Sequence, residues 1–396
     1  MHVTDRSLLL FTRSLRLFAY GALSVVLVLY LTELGFSTSQ IGLLLTLTLV
    51  GDTAVSLFLT TRADRVGRRR ILIAGAVLMV LAGTAFALTS NFLVMLIAGT
   101  LGVISPSGNE VGPFLPVEQA ALAHVVAPAI RTSVFAWYTL AGAVATAIGS
   151  LAGGGLSEAF HGYRIVVFLY ATIGIVLGLS FTRLSPNVEV AVSERASSLL
   201  GIGPSRRLVL KLAGLFALDA FAGGFVVQSF AAYWFFLRFG VSPATLGAIF
   251  FGANVLAGLS ALLASRLAAR FGLVRTMVFT HLPSNVLLIL VPLMPTMPLA
   301  VAVLFARFSI SQMDVPTRQS YLMAIVGPDE RSAAAGVTGV ARTTGAAIAP
   351  LFVGLLFAHP ALISMPLFIA GTLKIVYDLL LYRGFVSIRA AEEIRS

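Results

Sequence analysis

A chain of 396 residues with 58% hydrophobic and 11% charged side chains and a mean hydropathy of +0.97 carries too much apolar surface to fold in water, so lipid is its solvent. A net charge of +11 would raise nucleic acid as a partner for a soluble protein, but here the basic residues sort into loops and no nucleic-acid partner is expected. The absence of cysteine excludes disulfides, thiolate metal sites and thiol nucleophiles.

A helix needs about 20 apolar residues to cross the hydrocarbon core. In chain order, stretches of that kind fall at roughly 8–31, 38–60, 70–88, 91–115, 132–156, 163–182, 208–236, 243–265, 273–293, 297–320, 332–357 and 361–382. The first follows a basic start that contains Ser and Thr and has no small-residue cleavage site, which reads as a retained helix and not a signal peptide. Arg6, Arg13 and Arg16 lie at the start, and Arg62, Arg65, Arg68, Arg69 and Arg70 lie between spans two and three. Arg131, Arg183, Arg195, Arg206, Arg207, Lys211, Arg266, Arg270, Arg275, Arg318, Arg331, Arg383, Arg389 and Arg395 continue on the same side, against Arg164 and Arg238 on the other. The positive-inside rule then puts both termini and the long 6–7 loop in the cytoplasm, and a cell (inner) membrane is the expected location.

The chain repeats itself. At an offset of 200, Pro116, Gln119, Leu122, Val126, Pro128 and Arg131 match Pro316, Gln319, Leu322, Val326, Pro328 and Arg331. At 205, Gly35, Ser37, Gly42, Arg65, Gly67 and Arg70 match Gly240, Ser242, Gly247, Arg270, Gly272 and Arg275. Parallel repeats of six helices make two bundles around a cavity. The expected fold class is therefore all-α integral membrane, with twelve transmembrane helices in two pseudo-symmetric bundles. Residues 1–185 form one bundle, 186–207 a cytoplasmic linker, and 208–396 the other.

The loop after span two reads A-D-R-V-G-R-R-R from Ala63 to Arg70 and resembles the signature loop of the major facilitator superfamily, G-x-x-x-D-R-x-G-R-R/K. Asp64, Arg65, Gly67, Arg68 and Arg69 stand on its motif positions, and Thr60 replaces its first glycine. The resemblance implies an inner-gate latch in which Asp64 faces a helix N-terminus and Arg68 reaches a carboxylate, with Glu118 of span four as the expected partner. Ala269 and Arg318 replace Asp64 and Glu118 in the second half, so the latch is expected to be one-sided. In span five, Gly142, Gly149, Ser150, Gly153 and Gly154 are similar to the G-x6-G-P-x-x-G-G pattern of drug and proton antiporters in that superfamily. The same glycines also read as a plain helix-packing stripe.

Ionisable residues inside spans are costly in lipid and are the natural site candidates: Asp52, Glu110 beside Asn109, Asp219, Arg307, Asp314, Arg342, Lys374 and Asp378. The resemblance implies that spans one, four, seven and ten line the cavity, which singles out Tyr20, Asn109, Glu110, Asp219, Gln228, Arg307 and Asp314. Around Glu110 the stretch from Ser105 to Pro116 holds two glycines and three prolines, an irregular backbone suited to a gate or a binding segment. Glu110 and Asp219 are the expected proton carriers, although Glu110 also reads as the cap of a kinked helix. Arg307 reads as the partner of a substrate anion, of Asp219 or of Glu110. Asp314 with Arg318, and Lys374 with Asp378, suit intrahelical pairs, and His281 near Asn285 reads as packing. No histidine cluster suggests a metal, no phosphate-binding loop appears, and neither a cofactor nor a catalytic constellation is expected. The expected function is a monomeric secondary transporter working by alternating access, a proton-coupled exporter of small or amphipathic compounds. The alternative is a proton-coupled uptake permease or a uniporter for a small polar or anionic solute.

Overall fold

The computed structural model describes residues 4–189, 205–327 and 330–386; Arg195, Arg389, Arg395 and most of the expected linker lie outside them, as do the side chains of Asp64 and Arg131. In chain order the helices are α1 (Asp5–Glu33), α2 (Thr38–Thr60), the short α3 (Ala63–Val66), α4 (Arg68–Leu88), α5 (Phe92–Leu101), α6 (Phe114–Val125), α7 (Pro128–Ala159) and α8 (Arg164–Phe181). They continue with α9 (Arg206–Gly224), α10 (Gln228–Phe239), α11 (Pro243–Phe271), α12 (Leu273–Leu290), α13 (Met297–Phe308), α14 (Asp314–Ile325), α15 (Arg331–Phe357) and α16 (Met365–Phe385). No strand occurs among the described residues.

The helix boundaries follow local chemistry. Ser37 and Gln40 form a reciprocal capping box on α2, with Gln40 N donating to Ser37 Oγ at 3.2 Å and Ser37 N to Gln40 Oε1 at 2.9 Å. Asn91 caps α5 by accepting from the amides of Leu93 and Val94 at 3.0 and 3.2 Å. Between α3 and α4 the chain turns through Gly67 at a φ of 108°, a conformation open to glycine and strained for other residues.

Among the described residues, 11 helical segments are long and apolar enough to cross a membrane. The continuous span expected at 91–115 is not one of them. There α5 stops after 10 residues, about 15 Å at 1.5 Å per residue, and the backbone is irregular until α6 begins at Phe114. Pro106 and Pro113 remove amide donors, and Gly108 and Gly112 sit at φ of 72° and 77°, so no helix can run through. In lipid the freed backbone groups must find partners within the protein, and five helices supply them. Tyr20 of α1 donates to the Val111 carbonyl at 3.3 Å, Tyr170 of α8 to that of Val103, Ser229 of α10 to that of Pro106 at 2.7 Å, and Thr146 of α7 to that of Gly108 at 3.5 Å, while Asp52 of α2 accepts from the Gly112 amide at 2.6 Å.

By internal contacts the chain divides into two compact units, Met1–Glu194 with Val227–Asn254, and Arg195–Val226 with Val255–Ser396. Val227–Asn254, which belong to the second sequence repeat, thus pack with the first unit. In that unit α1 and α7 approach backbone to backbone: a Cβ on Gly149 would overlap the Phe18 carbonyl, one on Gly153 the Ala22 backbone, and one on Gly21 the Thr146 carbonyl. Gly154 meets Gly247 of α11 in the same way. The second unit repeats the device where Gly345 of α15 meets Ala217 of α9, and its core is closed by Leu212, Phe216, Met277, Tyr321, Tyr377 and Leu381.

This contact surface discriminates between neighbouring glycines of one helix. Gly153→Ala is expected to lower thermal stability in lipid nanodiscs by about 1–3 kcal/mol through overpacking. Gly155→Ala, where an added Cβ meets nothing within 4 Å, should be neutral or stabilise by up to about 1 kcal/mol.

Candidate functional site

Each unit holds one buried cluster of opposite charges. In the first, Arg13 and Arg16 lie three residues apart on one face of α1 and meet two carboxylates of span four. Arg16, wholly buried, donates from Nη1 and Nη2 to the two oxygens of Glu118, each at 2.8 Å, a bidentate geometry that only a guanidinium provides. Glu118 also accepts from Thr12 at 3.0 Å and from the hydroxyl of Tyr138 on α7. The same Arg16 reaches Glu110 through Nε and Nη2 at 3.1 Å, and Arg13 Nη1 lies 2.5 Å from Glu110. Arg13 stacks over the Tyr138 ring at 4.1 Å and Arg16 over that of Phe114 at 4.6 Å. Gly142 makes room for this arrangement, since a Cβ there would stand 2.7 Å from Arg13 Nε.

In the second unit one carboxylate collects cations from several helices. Asp219 of α9 is 4% exposed and accepts from Lys374 of α16 at 2.6 Å, Arg318 of α14 at 3.2 Å and Arg342 of α15 at 3.5 Å. Arg318 also pairs with Asp314 one turn earlier at 2.9 Å. His281 of α12 lies with Nε2 3.8 Å from Asp219 and Nδ1 2.8 Å from Asp378, and Asn285 completes the Asp378 shell at 2.9 Å. Three cations thus face three carboxylates, with His281 set between two of them. The two clusters invert each other's sign: span four offers Glu118 to an arginine of span one, and its repeat counterpart Arg318 faces a carboxylate of span seven.

The expected pairings and the observed contacts differ in part. Glu118 is taken by Arg16, whereas the Arg68 guanidinium donates to the carbonyls of Ala120 at 3.1 Å and Val188 at 3.3 Å. Lys374 and Asp378 do not pair with each other, because Lys374 turns to Asp219 and Asp378 to His281, which is therefore no packing residue. Arg307 makes no ion pair with Asp219 among the described residues; its Nε is buried without a hydrogen-bond partner among them and its guanidinium lies over Phe308 at 4.8 Å. In the signature loop, Gly67 allows the Glu189 carboxylate to accept from the amides of Arg68 at 2.7 Å and Arg69 at 3.1 Å, at the N-terminus of α4. Arg65 is exposed. Asn109 is exposed and Tyr20 wholly buried. Gln228 donates to Ser24 at 2.9 Å and to Ser150 at 3.0 Å and accepts from Asn254 at 3.1 Å. Ser150, where the glycine pattern would carry proline, is thus a hydrogen-bonding residue.

Arg13, Arg16 and Tyr138 were not among the sequence candidates. By charge the arginines sort with the basic loop side, yet their i, i+3 spacing inside an apolar run is a readable sign of one polar face. Tyr138 carried no sequence signal.

The Major Facilitator Superfamily model matches residues 9–350, and the chain belongs to that family: it is an integral membrane transporter of a small molecule and not an enzyme. An uncharacterized membrane protein of Saccharomyces cerevisiae (strain ATCC 204508 / S288c), YJR124C, is 31% identical over 416 residues, covering 95% of this chain and 93% of its own. Quinolone resistance protein NorA of Staphylococcus aureus (strain MRSA252) is 22% identical over 353 residues, covering 85% and 86%. The crystal structure of nucleoside transporter NupG superimposes with a TM-score of 0.79 at 13% identity, covering 96% of this chain and 100% of that one, a likeness of fold alone.

Removing one member of a buried pair strands the other in lipid. Glu118→Ala is expected to destabilise the protein in nanodiscs by about 3–5 kcal/mol, measured by thermal unfolding. Arg183→Ala, at an exposed position, should stay within about 0.5 kcal/mol.

Proposed function

We propose that the chain is a proton-coupled exporter of small, amphipathic compounds working by alternating access, with Glu110 and Asp219 as the proton-responsive carboxylates. The observation that carries this reading is the sharing of Asp219 by Lys374, Arg318 and Arg342, each from a different helix. A proton on Asp219 leaves those three cations without their common partner, so the helices that bear them must rearrange; protonation and movement become one event. Glu110, held by Arg13 and Arg16, plays the same part in the first unit, while the sealed Glu118 keeps Arg16 in place. The glycine pattern of α7 and the likeness to a quinolone resistance protein support export.

In this reading α5, the irregular segment and α6 together make the fourth of twelve crossings, and residues 1–185 and 208–396 are the two halves that alternate. Both termini and the loop of Asp64, Arg65, Gly67, Arg68 and Arg69 face the cytoplasm of a cell inner membrane, where that loop forms the inner gate. Asn109, Tyr20 and Gln228 border the substrate path, the glycines of α7 hold it closed on one side, and the monomer is the working unit.

A second reading, transport of a small anionic solute, is favoured by one observation. Arg307 has no carboxylate at ion-pair distance among the described residues, and an arginine keeps its charge in lipid. A substrate anion would supply the missing partner.

The test is uptake of a panel of lipophilic cations, neutral amphiphiles and small organic anions into inside-out vesicles, with and without a proton gradient. Gradient-driven uptake of an amphiphile, lost in Asp219→Asn or Glu110→Gln, is the expected result. Flux that ignores the gradient and both substitutions would overturn the coupling. Uptake restricted to anions, and abolished by Arg307→Ala, would select the second reading.

A further inference from the structure

Asp52 stands apart from every other carboxylate in the interior of the spans. Glu110, Glu118, Asp219, Asp314 and Asp378 each have a basic nitrogen at ion-pair distance; Asp52 has none among the described residues. It lies in α2, 14 residues from the start at Thr38 and 8 from the end at Thr60, away from both ends of a helix long and apolar enough to cross a membrane. Val50, Leu57 and Phe58 of the same helix are exposed and apolar, so the surroundings offer no compensation for a negative charge.

The groups that face Asp52 are neutral. The Gly112 amide donates to Oδ1 at 2.6 Å, and Ser56 reaches the same oxygen at 3.5 Å. Tyr20 of α1 and Tyr170 of α8, which bond the same irregular segment as Asp52, stack at a centroid distance of 6.2 Å and donate their hydroxyl protons to the carbonyls of Val111 and Val103. The adjacent α5 carries no titratable residue between Phe92 and Leu101. The nearest charges in sequence to Gly112, those around Glu110, are satisfied by Arg13 and Arg16. The second oxygen, Oδ2, has no hydrogen-bond partner among the described residues and is not sealed from solvent there, so it is open to a proton.

We infer that Asp52 is a proton-binding site, neutral in this conformation, whose protonation is tied to the broken backbone of span four through the Gly112 amide. Loss of the proton creates a carboxylate that attracts water and strengthens its hold on that amide; Gly112 sits two residues beyond Glu110, so the strain falls on the segment that presents Glu110 to Arg13 and Arg16. The inference adds a third titrating group to the proposed proton coupling, and its first test needs no substrate.

Infrared difference spectroscopy of the full chain in nanodiscs, titrated between acid and alkaline pH, reads the carbonyl stretch of a protonated carboxylic acid. The band is expected at neutral pH in the native protein, retained in Glu110→Gln, and lost in Asp52→Asn, which preserves an acceptor for the Gly112 amide. Asp52→Glu should restore a titrating band at a shifted position. Superimposable spectra for the native chain and Asp52→Asn would overturn the site. Because the chain is free of cysteine, a single probe introduced by Asn109→Cys reports on the broken segment: its maleimide labelling rate, divided at each pH by that of a free thiol to remove thiolate ionisation, should depend on pH in the native background and lose that dependence with Asp52→Asn. An unchanged pH profile would overturn the link to span four. Failure of gradient-driven export with the Asp52 band intact would count against the transport reading and leave this site standing.

Discussion

A charge or an amide in hydrocarbon has no water to bind, and nearly every feature of this protein follows from finding it a partner within the fold. The bidentate grip of Arg16 on Glu118 is the clearest instance. It fixes α1 against span four, orients Tyr138 of α7 through the same carboxylate, and leaves Arg16 with a nitrogen to share with Glu110. Three helices are tied by one pair of side chains. The tie tolerates no alternative register, because a guanidinium without its carboxylate would be stranded at a cost comparable to a large fraction of a domain's stability.

The backbone obeys the same constraint. Prolines and glycines break span four, and the exposed carbonyls and amide are recovered by tyrosine, serine, threonine and aspartate side chains from five other helices. Such a segment is held by several modest hydrogen bonds in place of a helical ladder, and so it can change conformation without unfolding the bundle. In the proposed transport cycle an element of this kind would offer more than one satisfied arrangement with a small energetic gap between them. The close approach of α1 and α7 serves it from the other side: small residues let the backbones touch, bringing Thr146 and Ser150 near enough to bond the irregular segment and Gln228.

The second unit solves the problem by sharing. Asp219 has two oxygens and three cationic partners, and Asp378 and His281 extend the network to α12. Shared partners are exchangeable partners, since any one cation can leave without stranding the carboxylate. In the first unit Glu118 is held by one arginine in bidentate fashion, together with Thr12 and Tyr138. The sign inversion between Glu118 and Arg318 shows how a duplicated architecture keeps its geometry while its two copies acquire different electrostatics.

The sequence by itself determined the solvent, the all-helical class, the repeat and the family, because hydropathy, offset identities and a contiguous loop motif are properties of neighbouring residues. It also marked the break in span four, where prolines and glycines are read directly, and it picked Glu110 and Asp219 as the charges most in need of explanation. Only the tertiary structure decided the partners. Arg13 and Arg16 looked like loop residues until the fold carried them to carboxylates about a hundred positions away, Lys374 passed over Asp378 on its own helix for Asp219 155 residues distant, and His281 became the link between two carboxylates. The physical reason is that ion pairing in lipid is settled by which helix faces meet and by the rotation of each helix about its axis. Neither quantity is encoded in a periodicity that, for helices apolar on nearly every side, hardly distinguishes one face from another.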